Sequence, residues 1–102
     1  MRILVICSGG MSTSMLVNSM KKAADAKKIP VTIESGSVSG LAKMIDNCDI
    51  IMVAPQVRHR IDEIKGLADK DNKSVVIIKP EIYGLINGEG ALKQATDALS
   101  GN

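Results

Sequence analysis

Hydrophobic and polar positions along the chain fall into two alternating kinds of segment. Short runs rich in apolar and β-branched residues occur four times: Ile3-Leu4-Val5-Ile6, Val31-Thr32-Ile33-Glu34, Asp49 to Ala54, and Val75-Val76-Ile77-Ile78. Each has the length and residue type of a strand. Between and after them, apolar residues recur at helical spacing: Met15, Leu16, Met20, Ala23 and Ala24, then Leu41, Met44 and Ile45. The same spacing returns in Val57, Ile61, Ile64 and Leu67, and finally in Leu92, Ala95 and Leu99. Each of these sets predicts one face of a helix, the first starting near Ser12. The punctuation agrees. Lys27-Lys28-Ile29-Pro30 closes the first helix, since Pro cannot continue it and Lys suits its C-terminal end. Ser35–Gly40 is expected as a loop, Pro55-Gln56 ends the third strand, and Asp69–Lys73 is a surface turn. Lys79–Asn87 is a loop with room for one helical turn.

Four strands alternating with helices predict an α/β domain. Its four-stranded parallel sheet has order 2-1-3-4, with right-handed crossovers placing helices on both faces. The third strand is apolar enough to be buried on both sides. Ligands of such sheets bind beyond the carboxyl ends of the strands, where the strand order reverses. The loop after the first strand belongs at that point, walled by Ser35–Ser39, Pro55-Gln56 and Lys79–Gly84.

Composition narrows the function more than the fold. The 102 residues, expected to form a single domain over 1–102, hold 13 basic and 11 acidic side chains, a net charge of +2. That balance favours neither nucleic acid nor a membrane surface. Tyr83 is the only aromatic residue, which removes stacking platforms for single-stranded nucleic acid. Nothing reads as a membrane-inserted span or a signal peptide. Cys7 and Cys48 lack metal-ligand spacing and suggest reduced thiols in a cytoplasm, with no metal or cofactor. Cys48 precedes an apolar run and reads as packing.

The chemistry concentrates in Cys7-Ser8-Gly9-Gly10-Met11-Ser12-Thr13-Ser14. A strand ends at Cys7, a glycine-containing loop follows, and a helix begins. Converging loop amides and a helix N-terminus, which carries about half a positive charge, make an anion cradle. Such surroundings favour the thiolate, the nucleophilic form of cysteine. Gly9 and Gly10 permit close backbone approach, and the hydroxyls of Ser8, Ser12, Thr13 and Ser14 can donate to phosphate oxygens. A nucleophilic thiol inside a phosphate site suggests acceptance of a phosphoryl group on sulfur. The same residues also admit a bland account, with Ser12-Thr13-Ser14 as helix caps and Cys7 as a small buried hydrophobe. No Gly-Lys-Ser/Thr closes the loop as in a nucleotide-binding P-loop, and no Gly-x-Ser-x-Gly is present.

The octapeptide closely resembles the C-S-x-G-M-S-T-S loop of the lactose/cellobiose-type IIB components of the bacterial phosphoenolpyruvate-dependent sugar phosphotransferase system. The likeness runs from about Ile3 to Leu99 and includes Ala54-Pro55-Gln56, where the family commonly has Gly-Pro-Gln. It also includes Tyr83-Gly84 followed by Asn87-Gly88. The departures are Gly9, where alanine is common, and His59, where an aromatic residue is frequent. The resemblance implies that Cys7 takes a phosphoryl group from a phosphohistidine of a IIA partner. Cys7 then passes it to a sugar entering through the IIC membrane partner. It implies phosphate-binding roles for Ser8 to Ser14, with Gln56 and Tyr83 as candidate rim residues and Met11 as a docking contact at the loop tip. Core packing accounts better for Tyr83, a plain turn accounts equally well for Gln56, and a staple at the helix start also accounts for Met11. His59 reads as a solvated side chain beside the basic face of Arg58 and Arg60.

Two other classes compete. A low-molecular-weight tyrosine-phosphatase-like or arsenate-reductase-like enzyme shares a strand, a phosphatase-like Cys phosphate loop and a helix. That chemistry places an arginine six residues after the cysteine to clamp phosphate bidentately, where this chain has Thr13. It also uses an acid near the leaving group, and no Asp-Pro pair occurs here. A non-catalytic anion-sensing domain is the third class, disfavoured by the intact Cys7.

Overall fold

The computed structural model describes the backbone of residues 1–8 and 11–100, with the side chains of all of these except Met11 and Ser12. Four strands, β1 (Arg2–Cys7), β2 (Thr32–Ser37), β3 (Ile50–Val53) and β4 (Ser74–Ile77), form one parallel sheet of order β2-β1-β3-β4. The connecting helices are α1 (Met11–Ala26), α2 (Leu41–Met44) and α3 (Ile61–Lys70). After β4 come α4 (Pro80–Gly84) and α5 (Gly88–Leu99). The predicted strand order is the observed one.

Burial follows the order. The inner strands β1 and β3 are buried along nearly their whole length, from Ile3 to Cys7 and from Ile50 to Val53. On the edge strand β2 only Ile33 is buried, which is why its apolar signal is the weakest of the four. The helices form two layers. α1 packs against α5 and β2, while α2 touches α3 on the other side. Contact between α1 and α5 is closest at Gly88, where a Cβ would run into the Ser19–Met20 backbone. Instead the Gly88 N–H donates to Ser19 Oγ at 3.1 Å.

Several boundaries differ from the sequence expectation, and two of the differences bear on the site. β2 continues through Ser35 and Gly36 to Ser37, because Val5, Ile6 and Cys7 pair with these residues across the ladder. Pairing with a buried neighbour overrides the poor strand propensity of Gly and Ser. The helix expected from Val57 begins as a 3₁₀ segment, Pro55–Arg60, interrupted at Val57 (φ −114°, ψ 17°), and only Ile61 starts regular α3. Pro55 sits in its first turn, where the missing N–H costs nothing. At its far end α3 takes in Asp69 and Lys70, which the sequence pattern assigns to the turn.

Candidate active site

Cys7 is the last residue of β1, and two neighbouring chains meet it there. Ser37 lies beside it in register on β2, and on the other side the Ala54 N–H donates to the Ile6 carbonyl at 2.9 Å. The β1 end is therefore held between the ends of β2 and β3, and the thiol emerges on the carboxyl rim of the sheet. The Cys7 residue is only 6% exposed, and its thiol donates to the Gly36 carbonyl at 3.8 Å. This contact exists because β2 extends past Glu34.

A cavity of about 340 Å³ opens beside Cys7. Its walls come from three places: Ser8 after β1, the Ser37–Ser39 turn, and Gln56, His59 and Arg60 of the 3₁₀ segment. The turn is internally fastened, with Ser37 Oγ 3.1 Å from Ser39 Oγ and accepting from the Gly40 N–H at 3.2 Å. Gln56 thus lines the same cavity as Cys7. So does His59, which the sequence pattern assigns to solvent. Arg58 does not line it.

The loop residues separate into distinct environments. α1 begins at Met11, so its N-terminus follows Cys7 by four positions. Thr13 is buried, and its Oγ1 shares a hydrogen bond of 2.7 Å with the Tyr83 hydroxyl. Tyr83 is therefore a core residue that also supports the start of α1, and it is not among the residues lining the Cys7 cavity. Ser14 is exposed and borders a separate groove with Val17, Asn18 and Ile33. Gly9 and Gly10, and the side chains of Met11 and Ser12, lie outside the described residues.

One residue supporting this arrangement escapes the sequence pattern. Gln94 of α5 accepts from the Lys79 N–H at 3.1 Å and donates to the Ile77 carbonyl at 3.2 Å. It ties the end of β4 to the start of α4, and so sets where Tyr83 stands. Nothing in the spacing around Gln94 signals this. Cys48 has no such place: it is buried away from the cavity and donates to the Ile45 carbonyl at 3.3 Å. Desolvation pushes its thiol pKa up. No disulfide joins the two cysteines. Among the described residues no cluster of three or more His, Cys, Asp or Glu could hold a metal, and no helix is long and apolar enough to cross a membrane.

A thiol at the carboxyl end of the inner strand β1, four residues before a long helix, marks the site of a parallel α/β domain. The chain belongs to the lactose/cellobiose-specific IIB subunits of the phosphotransferase system, whose family model matches residues 2–94. Among similar proteins, the oligo-beta-mannoside-specific EIIB component of Bacillus subtilis is 32% identical, over 96% of this chain and 95% of its own length. The lactose-specific EIICB component of Lactococcus lactis subsp. lactis is 32% identical over 88% of this chain, which spans only 16% of that longer protein. The fold matches the cellobiose-specific IIB component of Borrelia burgdorferi, with a TM-score of 0.83 and 36% identity over 99% of this chain and 93% of that one. It also matches the lactose-specific IIB domain of Streptococcus pneumoniae, with a TM-score of 0.86 at 24% identity and 96% coverage of both.

Proposed function

We propose that this chain is a cytoplasmic phosphoryl carrier, a single IIB domain whose Cys7 is the phosphorylated residue. In the first half-reaction Cys7 Sγ attacks the phosphorus of a phosphohistidine on a IIA partner. The N–P bond breaks, an S–P bond forms, and the imidazole leaves, taking up the proton that the thiol gives up. In the second, a hydroxyl oxygen of sugar held by a IIC membrane partner attacks the same phosphorus. The S–P bond breaks, the hydroxyl proton is released, and Cys7 returns as thiolate. Both steps require in-line approach and stabilisation of charge on three equatorial oxygens, which is positioning and electrostatics in place of acid-base chemistry. Ser8 and the backbone N–H groups of the loop through Ser14 would hold those oxygens, with Gln56 beside them at the cavity wall.

The observation carrying this reading is the position of Cys7: at the carboxyl end of β1, beside a cavity lined in part by Ser8, Ser37, Ser39 and Gln56, and four residues before the start of α1. The loop position where a hydrolase of similar architecture carries its arginine holds Thr13, whose hydroxyl is bonded to Tyr83. Incubation with a phosphorylated IIA partner tests the reading by intact mass. One phosphoryl group should be added, lost in Cys7→Ser and kept in Cys48→Ser. Phosphate remaining on the Cys7 variant would overturn it.

A further inference from the structure

A phosphoryl group on sulfur carries close to two negative charges, and loop amides answer them only with partial dipoles. In this chain the loop supplies no guanidinium. Two basic side chains nevertheless line the Cys7 cavity, His59 and Arg60, and no carboxylate stands among the described residues that line it. Their placement follows from the backbone. Val57 is buried and anchors the 3₁₀ segment, which turns Gln56, His59 and Arg60 outward along the rim. Arg60 is held further by Glu63 one turn on, with Nη2 donating to both carboxylate oxygens at 2.8 and 3.0 Å. That pairing uses one nitrogen of the guanidinium fork, and Nε and Nη1 carry three more donors. Both side chains are about half exposed (42% and 50%), so water screens the pair and Arg60 keeps most of its reach as a cation.

We propose that Arg60, as the cation, and His59, as a hydrogen-bond donor beside it, form a basic wall of the phosphoryl site, contacting the equatorial oxygens of the group on Cys7 from the β3–α3 segment. This rests on the carrier reading of Cys7. The charge that a loop arginine would supply from within the cradle arrives here from a separate element, across the cavity from Ser8. The ligand class is a tetrahedral oxyanion, either attached to Cys7 or free.

Inorganic phosphate is the probe. It should slow alkylation of Cys7 by iodoacetamide in the unphosphorylated protein, and R60Q and H59Q should each raise the half-protecting concentration about fivefold, the scale of a charge-assisted contact in a half-exposed site. R60K should recover part of the loss, because a cation remains but the planar fork does not. R58Q removes the same charge from a side chain that does not line the cavity and should behave as wild type. Thermal unfolding midpoints of all four variants should stay with wild type, separating contact from fold. Absence of protection in the wild-type protein, equal protection in R60Q and H59Q, or an equal loss in R58Q would each overturn the proposal. Phosphorylation by the IIA donor is followed in parallel. If wild type is never phosphorylated the carrier reading itself fails; if it is, and the variants match it in both assays, the basic wall alone is wrong.

Discussion

Thr13 and Tyr83, 70 residues apart in the chain, share a buried hydrogen bond of 2.7 Å between their hydroxyls. It joins the first turn of α1 to α4, across the two ends of the sequence. Tyr83→Phe removes one partner and strands the Thr13 hydroxyl in a buried place, which costs about 1–3 kcal/mol. Thr13→Val made together with Tyr83→Phe should cost less than the two single changes summed, since neither group is then left unsatisfied. Urea denaturation of the four proteins measures the coupling. Additive losses would mean that the hydroxyls do not support one another.

Because Thr13 stands where a phosphatase-like loop carries arginine, turnover of free phosphate esters should be negligible. A guanidinium acting on the transferring group can be worth about 10³–10⁵ in rate. Release of p-nitrophenol from p-nitrophenyl phosphate should stay at the level of the Cys7→Ser variant. The phosphoprotein should decay slowly alone and discharge quickly onto membranes containing the cognate IIC and its sugar. Robust, Cys7-dependent hydrolysis would move the protein to the phosphatase class.

The buried Cys48 thiol should make stability depend on pH in the alkaline range. Burial raises the Cys48 pKa above its ordinary value of 9.0. Below pH 9 Cys48 stays protonated in both folded and unfolded chains, and its contribution to stability is complete. Above pH 9 the unfolded chain ionises first, so this contribution is lost as pH rises towards the folded value. The fall in denaturation midpoint between pH 8.5 and pH 10 should therefore be smaller in Cys48→Ala than in wild type. Identical falls would remove Cys48 as the source.

Two glycines should respond oppositely to alanine. At Gly88 the added Cβ meets the backbone of α1, which cannot yield without parting the helices, so Gly88→Ala should destabilise by about 1–3 kcal/mol or more. At Gly66, exposed on α3, nothing lies within 4 Å of an added Cβ. Gly66→Ala should stabilise by about 0.5–1 kcal/mol through helix propensity and a less disordered unfolded chain. Thermal melts of the two variants, moving in opposite directions, check the pair.

Local pattern alone determined much of this molecule. Buried parallel strands need continuous apolar runs, so β1 and β3 announce themselves, and alternation with helices points to the parallel sheet, whose expected order β2-β1-β3-β4 is the observed one. The rim position of Cys7 follows from that order, because a loop after the first strand has only one place to go. The edge of β2 could not be read in this way. Ser35, Gly36 and Ser37 are poor strand formers, and only their pairing with Val5, Ile6 and Cys7 makes them strand. The same holds for the site's walls. His59 lines the Cys7 cavity from a 3₁₀ segment that stands where the pattern expects a regular helix. Tyr83 reaches Thr13 because Gln94 fixes the β4–α4 junction. Contacts between residues so far apart in sequence leave no periodicity behind; they exist only once the sheet has brought its strand ends to one rim.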